Sequence, residues 1–87
     1  MENAEISSLN PDLVERDWHG VVVLYGSGFG DRDHAMFDEM TPRCRVVSPT
    51  LMEVDIPREM TAGTHTYEVK VKTVFGSYSN SEEFVVL

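Results

Sequence analysis

Side chains able to do chemistry are sparse in this chain, and their densest group is Asp31-Arg32-Asp33-His34. Two carboxylates and an imidazole are the right types to hold a hard cation or move a proton. Calcium, however, takes about six to eight oxygens, and a lone Asp-x-Asp supplies too few. The segment is therefore expected to be a solvated charged turn, with no metal. His19, His34 and His65 fall in separate turns, none in a motif that adds a serine, cysteine or carboxylate to the imidazole. Acid–base catalysis needs such groups converging in a pocket, so the expectation is a protein that is not an enzyme and holds no cofactor. Cys44 is the single cysteine. With no second cysteine for a disulfide or zinc site and no motif to polarise it, it is expected to be a small buried residue.

The elements that must position these residues follow from the apolar pattern. Gly20 to Gly30 is an unbroken apolar strand, Val21 to Tyr25, that runs into a corner marked by Gly26, Gly28 and Gly30. Valine and tyrosine favour an extended backbone, and glycines allow bends that a Cβ resists. Phe29, between two of those glycines, is expected to turn back into the core. Before this strand, Ile6–Pro11 reads as an edge strand ended by proline. Asp12–His19 is a polar connection in which Leu13, Val14 and Trp18 have spacing suited to one helical turn. Trp18 has two readings, a cap over one end of the core or an exposed anchor for a partner.

After the corner, Ala35–Asp38 reads as a short strand with Ala35 and Phe37 on one face. Cys44–Ser48 follows, with Cys44 and Val46 opposite Arg45. Leu51–Pro57 alternates with Met52, Val54 and Ile56 inward and Glu53 and Asp55 outward. Arg58–Thr64 is a turn, and Tyr67–Thr73 sends Tyr67, Val69 and Val71 inward. Phe75–Asn80 forms a hairpin-like turn, and Ser81–Leu87 is a last strand with Phe84 and Val86 facing the core. About seven short strands with regular turn signals and no long helix predict an all-β, antiparallel sandwich. At 87 residues, one domain over 1–87 is expected.

Charge narrows the partners. Fifteen acidic against seven basic side chains leave a formal net charge of −8, which repels nucleic-acid phosphates and anionic membrane surfaces. Neither is expected as a partner. The run from Val21 to Tyr25 is far short of the roughly 20 apolar residues that cross a bilayer. The first residues, Met1-Glu-Asn-Ala-Glu, have neither the basic start nor the apolar middle of a secretory signal.

Several spacings together resemble the IPT/TIG family of immunoglobulin-like domains. They are Ile6-x-x-Leu9-x-Pro11, Gly20-x-Val22-x-Leu24-x-Gly26-Ser-Gly-Phe29-Gly30, Cys44-x-Val46-Val47-Ser48, Met52-x-Val54-x-Ile56-Pro57, Gly63, and Ser79 with Phe84. The resemblance spans Glu5 to Leu87, and its most specific element is the Gly-Ser-Gly-Phe-Gly corner. Such domains often have Gly-Gly before the central strand, where this chain has His19-Gly20. The resemblance implies an early-set, immunoglobulin-like sandwich of about seven strands acting as a binding or spacer module. Members that touch DNA do so through basic loops, a branch the acidic charge disfavours.

Two functions are consistent with that family. The first is a small virion component, a bacteriophage capsid decoration or tail-associated protein that docks on an assembled particle, found in the virion or in host cytoplasm during assembly. The natural-looking Met1 start and short length favour it. The second is a spacer or binding domain of a larger bacterial surface protein, receptor or carbohydrate-active enzyme, placed at the cell surface or outside it. Trp18, Tyr25 and Tyr78 are then the convenient aromatics for a sugar. In either setting the central strand supplies the candidate interface. With Val22 and Leu24 inward, Val21, Val23 and Tyr25 face outward beside Glu53 and Asp55, an apolar row where polar residues are usual. These three residues, with Trp18, are expected to meet a protein partner: a capsid or other assembly subunit, the rest of a larger chain, or a sister copy in a homo-oligomer.

Overall fold

Strict alternation along two segments divides the chain into an inner and an outer surface, and a computed structural model describes the result for residues 4–87. The strands are β1 (Glu5–Asn10), β2 (Leu13–Val14), β3 (Gly20–Ser27), β4 (His34–Phe37), β5 (Cys44–Ser48), β6 (Leu51–Ile56), β7 (His65–Lys72) and β8 (Glu82–Val86). One sheet has the order β1-β3-β6-β5 and the other β2-β8-β7-β4. Met52, Val54 and Ile56 of β6 face Val69 and Val71 of β7 across a continuous core that includes Val22, Leu24, Phe37 and Phe84. Phe37 packs edge-on against Phe84, ring centroids 5.5 Å apart, and against Tyr67 at 6.0 Å, a geometry that sets ring edges against ring faces.

The all-β sandwich is thus as expected, with eight strands among the described residues where about seven were anticipated. The order matches an immunoglobulin-type arrangement, in which the first, second, fifth and fourth strands oppose the third, sixth and seventh. The extra strand arises because the first strand is shared between sheets. β1 pairs with β3, and after Pro11 the chain crosses so that Leu13 and Val14 lie parallel to Val85 and Val86. The single helical turn that the spacing within Asp12–His19 allowed is not taken up by Leu13 and Val14, which are strand. An isolated turn is too costly to nucleate, whereas the free edge of β8 satisfies the extended backbone: Val85 N–H donates to Asp12 O at 2.8 Å and Leu87 N–H to Val14 O at 2.9 Å. Among the described residues β2 with β8 is the one parallel pair, the other strand pairs being antiparallel.

Two further expectations change. The turn at Arg58–Thr64 contains a short 3-10 helix, Arg58–Thr61. Its fully buried Thr61 donates its hydroxyl to the Trp18 carbonyl and to that of Arg58. Cys44 is half-buried, because β5 is the edge of its sheet and only one flank is covered; its thiol lies 3.9 Å from the Asp33 carbonyl.

The glycine corner does what its composition requires at two positions. Gly28 has φ +72°, a conformation in which a Cβ is strained. At Gly26 the constraint is space: a Cβ would lie 1.9 Å from the Glu5 carbonyl oxygen and 2.8 Å from the Phe29 ring. Phe29 is buried, as expected, and its N–H donates to Pro49 O at 3.0 Å. Among the described residues no helix is long and apolar enough to cross a membrane.

Candidate functional site

The outer face of the first sheet is built from the odd-numbered residues of β3. Val22 and Leu24 are completely buried, so the two-residue period of the strand turns Val21, Val23 and Tyr25 to the other side. Val21 is 44 % and Tyr25 41 % exposed, with Val23 half-buried between them. Register places Val21 opposite Asp55, Val23 opposite Glu53, and Tyr25 opposite Leu51. On the other flank Asn10 faces Val23 and Ser8 faces Tyr25. Arg45 on β5 pairs with Glu53, whose carboxylate holds the guanidinium pKa above its ordinary value. The apolar row is therefore framed by small polar groups on β1 and by charges on β6 and β5. It is continued across the sheet by Leu51 and, on β5, by the exposed Val47.

Trp18 does not extend this row. Its ring lies partly buried against the core, 6.4 Å from Phe84, and beside Gly20, where an added Cβ would meet it at 3.0 Å. Of its two readings, the cap over the core describes its position.

The charged turn differs from a freely solvated one. Asp33 is buried, its carboxylate accepting the Gly30 N–H at 2.8 Å while its own N–H donates to Gly30 O at 3.0 Å. The bond from the Gly30 N–H offsets part of the cost of burying the carboxylate, and the backbone bond closes the turn around it. Asp31 remains exposed, and His34 begins β4. Among the described residues no three His, Cys, Asp or Glu side chains gather as a metal site.

Sequence spacing did not anticipate a partner for His65, yet the fold supplies one 27 residues away. His65 Nε2 lies 2.7 Å from Asp38 Oδ2. The other oxygen of Asp38 accepts the Glu68 N–H at 2.9 Å, and Asp38 N–H donates back to Glu68 O at 2.9 Å. The His65 bond, followed by the Glu68 amide, holds the Asp38 pKa below its ordinary value. The shallow depression alongside is lined by Glu68, Glu82 and Glu83 together with Ser81 and Thr66. Its chemistry is that of a clamp joining the end of β4 to β7.

A second exposed feature was read in the sequence only as a turn. Between β7 and β8, Thr73–Ser77 forms a tight tip in which Gly76 N–H donates to Thr73 O at 3.0 Å and Thr73 N–H to Ser77 O at 2.9 Å. Phe75 at this tip is 82 % exposed, and its neighbour Val74 is exposed too. Lys70 Nζ stands 4.7 Å and Lys72 Nζ 5.8 Å from the centre of the Tyr78 ring, within range of a cation–π attraction. Two large apolar residues directly before a glycine in a hairpin turn were the available signal.

Compared with models of known protein families and with curated protein sequences, the chain matches none. What its geometry defines is an all-β sandwich of immunoglobulin-type strand order with apolar surface on one outer sheet face and at one loop tip.

Proposed function

We propose that this chain is a non-enzymatic protein-binding module that docks through the outer face of the first sheet. The observation that carries the reading is the outward row Val21, Val23 and Tyr25, continued by Leu51, in the middle of a sheet whose core side is complete without it. Apolar surface framed by charge is characteristic of an interface, with the apolar part excluding water and the charged rim selecting the partner. The setting we favour is an assembled bacteriophage particle, with a capsid or tail subunit as partner. It rests on the resemblance to IPT/TIG domains and on the acidic charge, which disfavours nucleic acid and membrane. In a larger surface protein or carbohydrate-active enzyme the same face would pack on a neighbouring domain.

Val23→Lys tests the face. The new ammonium lies opposite Glu53, so the substitution is expected to change stability by less than about 1 kcal/mol. Mass spectrometry of particles purified from the source culture should detect the chain, and particles stripped of it should rebind wild type but not the lysine variant. Rebinding of a folded Val23→Lys protein at wild-type strength would remove the face from consideration. Absence of the chain from such particles would remove the setting.

A further inference from the structure

The apolar tip between β7 and β8 has a counterpart at the other end of the same molecule. The tip continues β7 beyond Lys72, which pairs with His34 at the start of β4. Beyond the far end of β4, around Met40, and beyond the end of β6 at Ile56, lies an open groove of about 480 Å³. Its apolar wall consists of Met40, Pro42, Ile56, Pro57 and Met60. Asp55 and Glu59 also line it, along with one cation, Arg43. The register of β4 with β7 and of β3 with β6 therefore puts tip and groove at opposite ends of the sandwich, whose longest dimension is 38 Å.

Charge is distributed to match. Although the chain carries a net charge of −8, both of its lysines and Arg32 gather at the tip end. Arg32, His34 and Lys72 line a hollow together with Asp31 and Val74, and Lys72 flanks Tyr78 with Lys70, whose ammonium also lies 3.6 Å from the Glu68 carboxylate. Behind two protruding apolar side chains, Arg32 and Lys72 thus outnumber the one carboxylate of that hollow, Asp31, and face a groove in which the carboxylates Asp55 and Glu59 outnumber the single arginine. Phe75 has an aromatic ring to bury, and the groove is large enough to accept it with Val74.

We propose that copies of this chain associate head to tail, Val74 and Phe75 of one entering the groove of the next. The tip and the groove are different surfaces, so the contact is heterologous and leaves a free tip and a free groove at the two ends of every open assembly, which continues to grow instead of closing as a two-fold dimer; the placement of the two surfaces at opposite ends of the molecule favours such an open chain over a closed ring. Two side chains and the charges behind them bury less than a standard interface, so association is weak and favoured by high local concentration. The ionic part of the contact weakens with added salt. This contact shares Asp55 with the frame of the β3 face but does not depend on its apolar row.

Sedimentation equilibrium from micromolar to millimolar concentration provides the test. The mean mass of the wild-type protein is expected to climb past that of a dimer without a plateau at low salt, and to climb less at high salt. Phe75→Ser, which lacks the tip, and Met40→Glu, which blocks the groove, should each sediment as monomers. Their equimolar mixture should reach the mass of a dimer and stop, because it contains one working tip for each working groove. Both positions are exposed, and thermal melting establishes that each variant is folded; Val74→Asp and Glu59→Lys are the replacements for either one. Val23→Lys should self-associate as wild type does. A wild-type protein that stays monomeric at millimolar concentration, one that levels off at a dimer, or a mixture of folded variants that remains monomeric would each overturn the proposal.

Discussion

Replacing Gly26 by alanine and, separately, Gly63 by alanine should give two proteins of identical composition and very different stability. At Gly63 nothing lies within 4 Å of the new methyl group and φ is ordinary. Its effect is confined to the unfolded chain, whose entropy falls, so a stabilisation of roughly 0.4 to 1 kcal/mol is expected. At Gly26 the methyl group would sit 1.9 Å from the Glu5 carbonyl oxygen. The end of the Phe29 ring can swing aside, but a backbone carbonyl moves only if β1 retreats by about 1 Å or more.

That retreat acts on Ile6, which pairs with Gly26 and is 2 % exposed. It also acts on the Asn80 side chain, whose oxygen accepts the Ile6 N–H at 2.7 Å and whose amide donates to Ile6 O at 2.9 Å. Partial loss of an isoleucine's burial costs about 1 to 2 kcal/mol, and each hydrogen bond contributes about 0.5 to 1.5 kcal/mol. The expected total is about 2 to 5 kcal/mol. For a domain of this size each kcal/mol moves Tm by about 4 to 8 °C, so Gly26→Ala should melt roughly 8 to 40 °C below wild type. Calorimetry and urea titration of the three proteins measure this. A Gly26→Ala protein within about 0.5 kcal/mol of wild type would refute the close approach of β1 to β3 from which the figure is worked.

Two further predictions concern titrating groups. Tyr67 donates its hydroxyl to the Met60 carbonyl at 2.6 Å in the interior, so Tyr67→Phe should cost about 1 to 2 kcal/mol in urea titrations at neutral pH. Burial raises the Tyr67 pKa above its ordinary value of 10.0; this contribution is complete below that pH and disappears as pH rises through the folded value. The wild-type protein should therefore lose stability in alkali more steeply than the phenylalanine variant. The Asp38 pKa is lowered, chiefly by His65. Its contribution is present above the ordinary value of 3.8 and disappears as pH falls through the lower, folded value. Asp38→Asn should lower stability near neutrality by less than about 1 kcal/mol because the pair is exposed, and the difference from wild type should close in acid; an unchanged difference across that range would contradict the clamp.

Much of the architecture was legible because burial in a sandwich imposes a period of two. Val22 and Leu24, Met52, Val54 and Ile56, Tyr67, Val69 and Val71, and Phe84 with Val86 all face the core as their alternation implied, and all are buried. The same parity identified Val21, Val23 and Tyr25 as outward, since a strand with one committed face has no freedom left for the other. The fate of Leu13 and Val14 could not be read in this way. Two residues carry no period, and they became strand because the edge of β8 offered hydrogen bonds.

What the amino-acid order by itself determined is which side chains belong to the interior and where the chain must bend, because apolar spacing and glycine act locally. Only the tertiary structure decided which distant residues meet. It drew Asp38 to His65, buried Asp33 under its own turn, turned Trp18 onto Phe84, and set Lys70 and Lys72 beside Tyr78. It also placed an exposed Phe75 at one end of the sandwich and an apolar groove at the other. These pairings depend on strand order and register, which are set by the packing of two whole sheets on one core and by no short stretch within them.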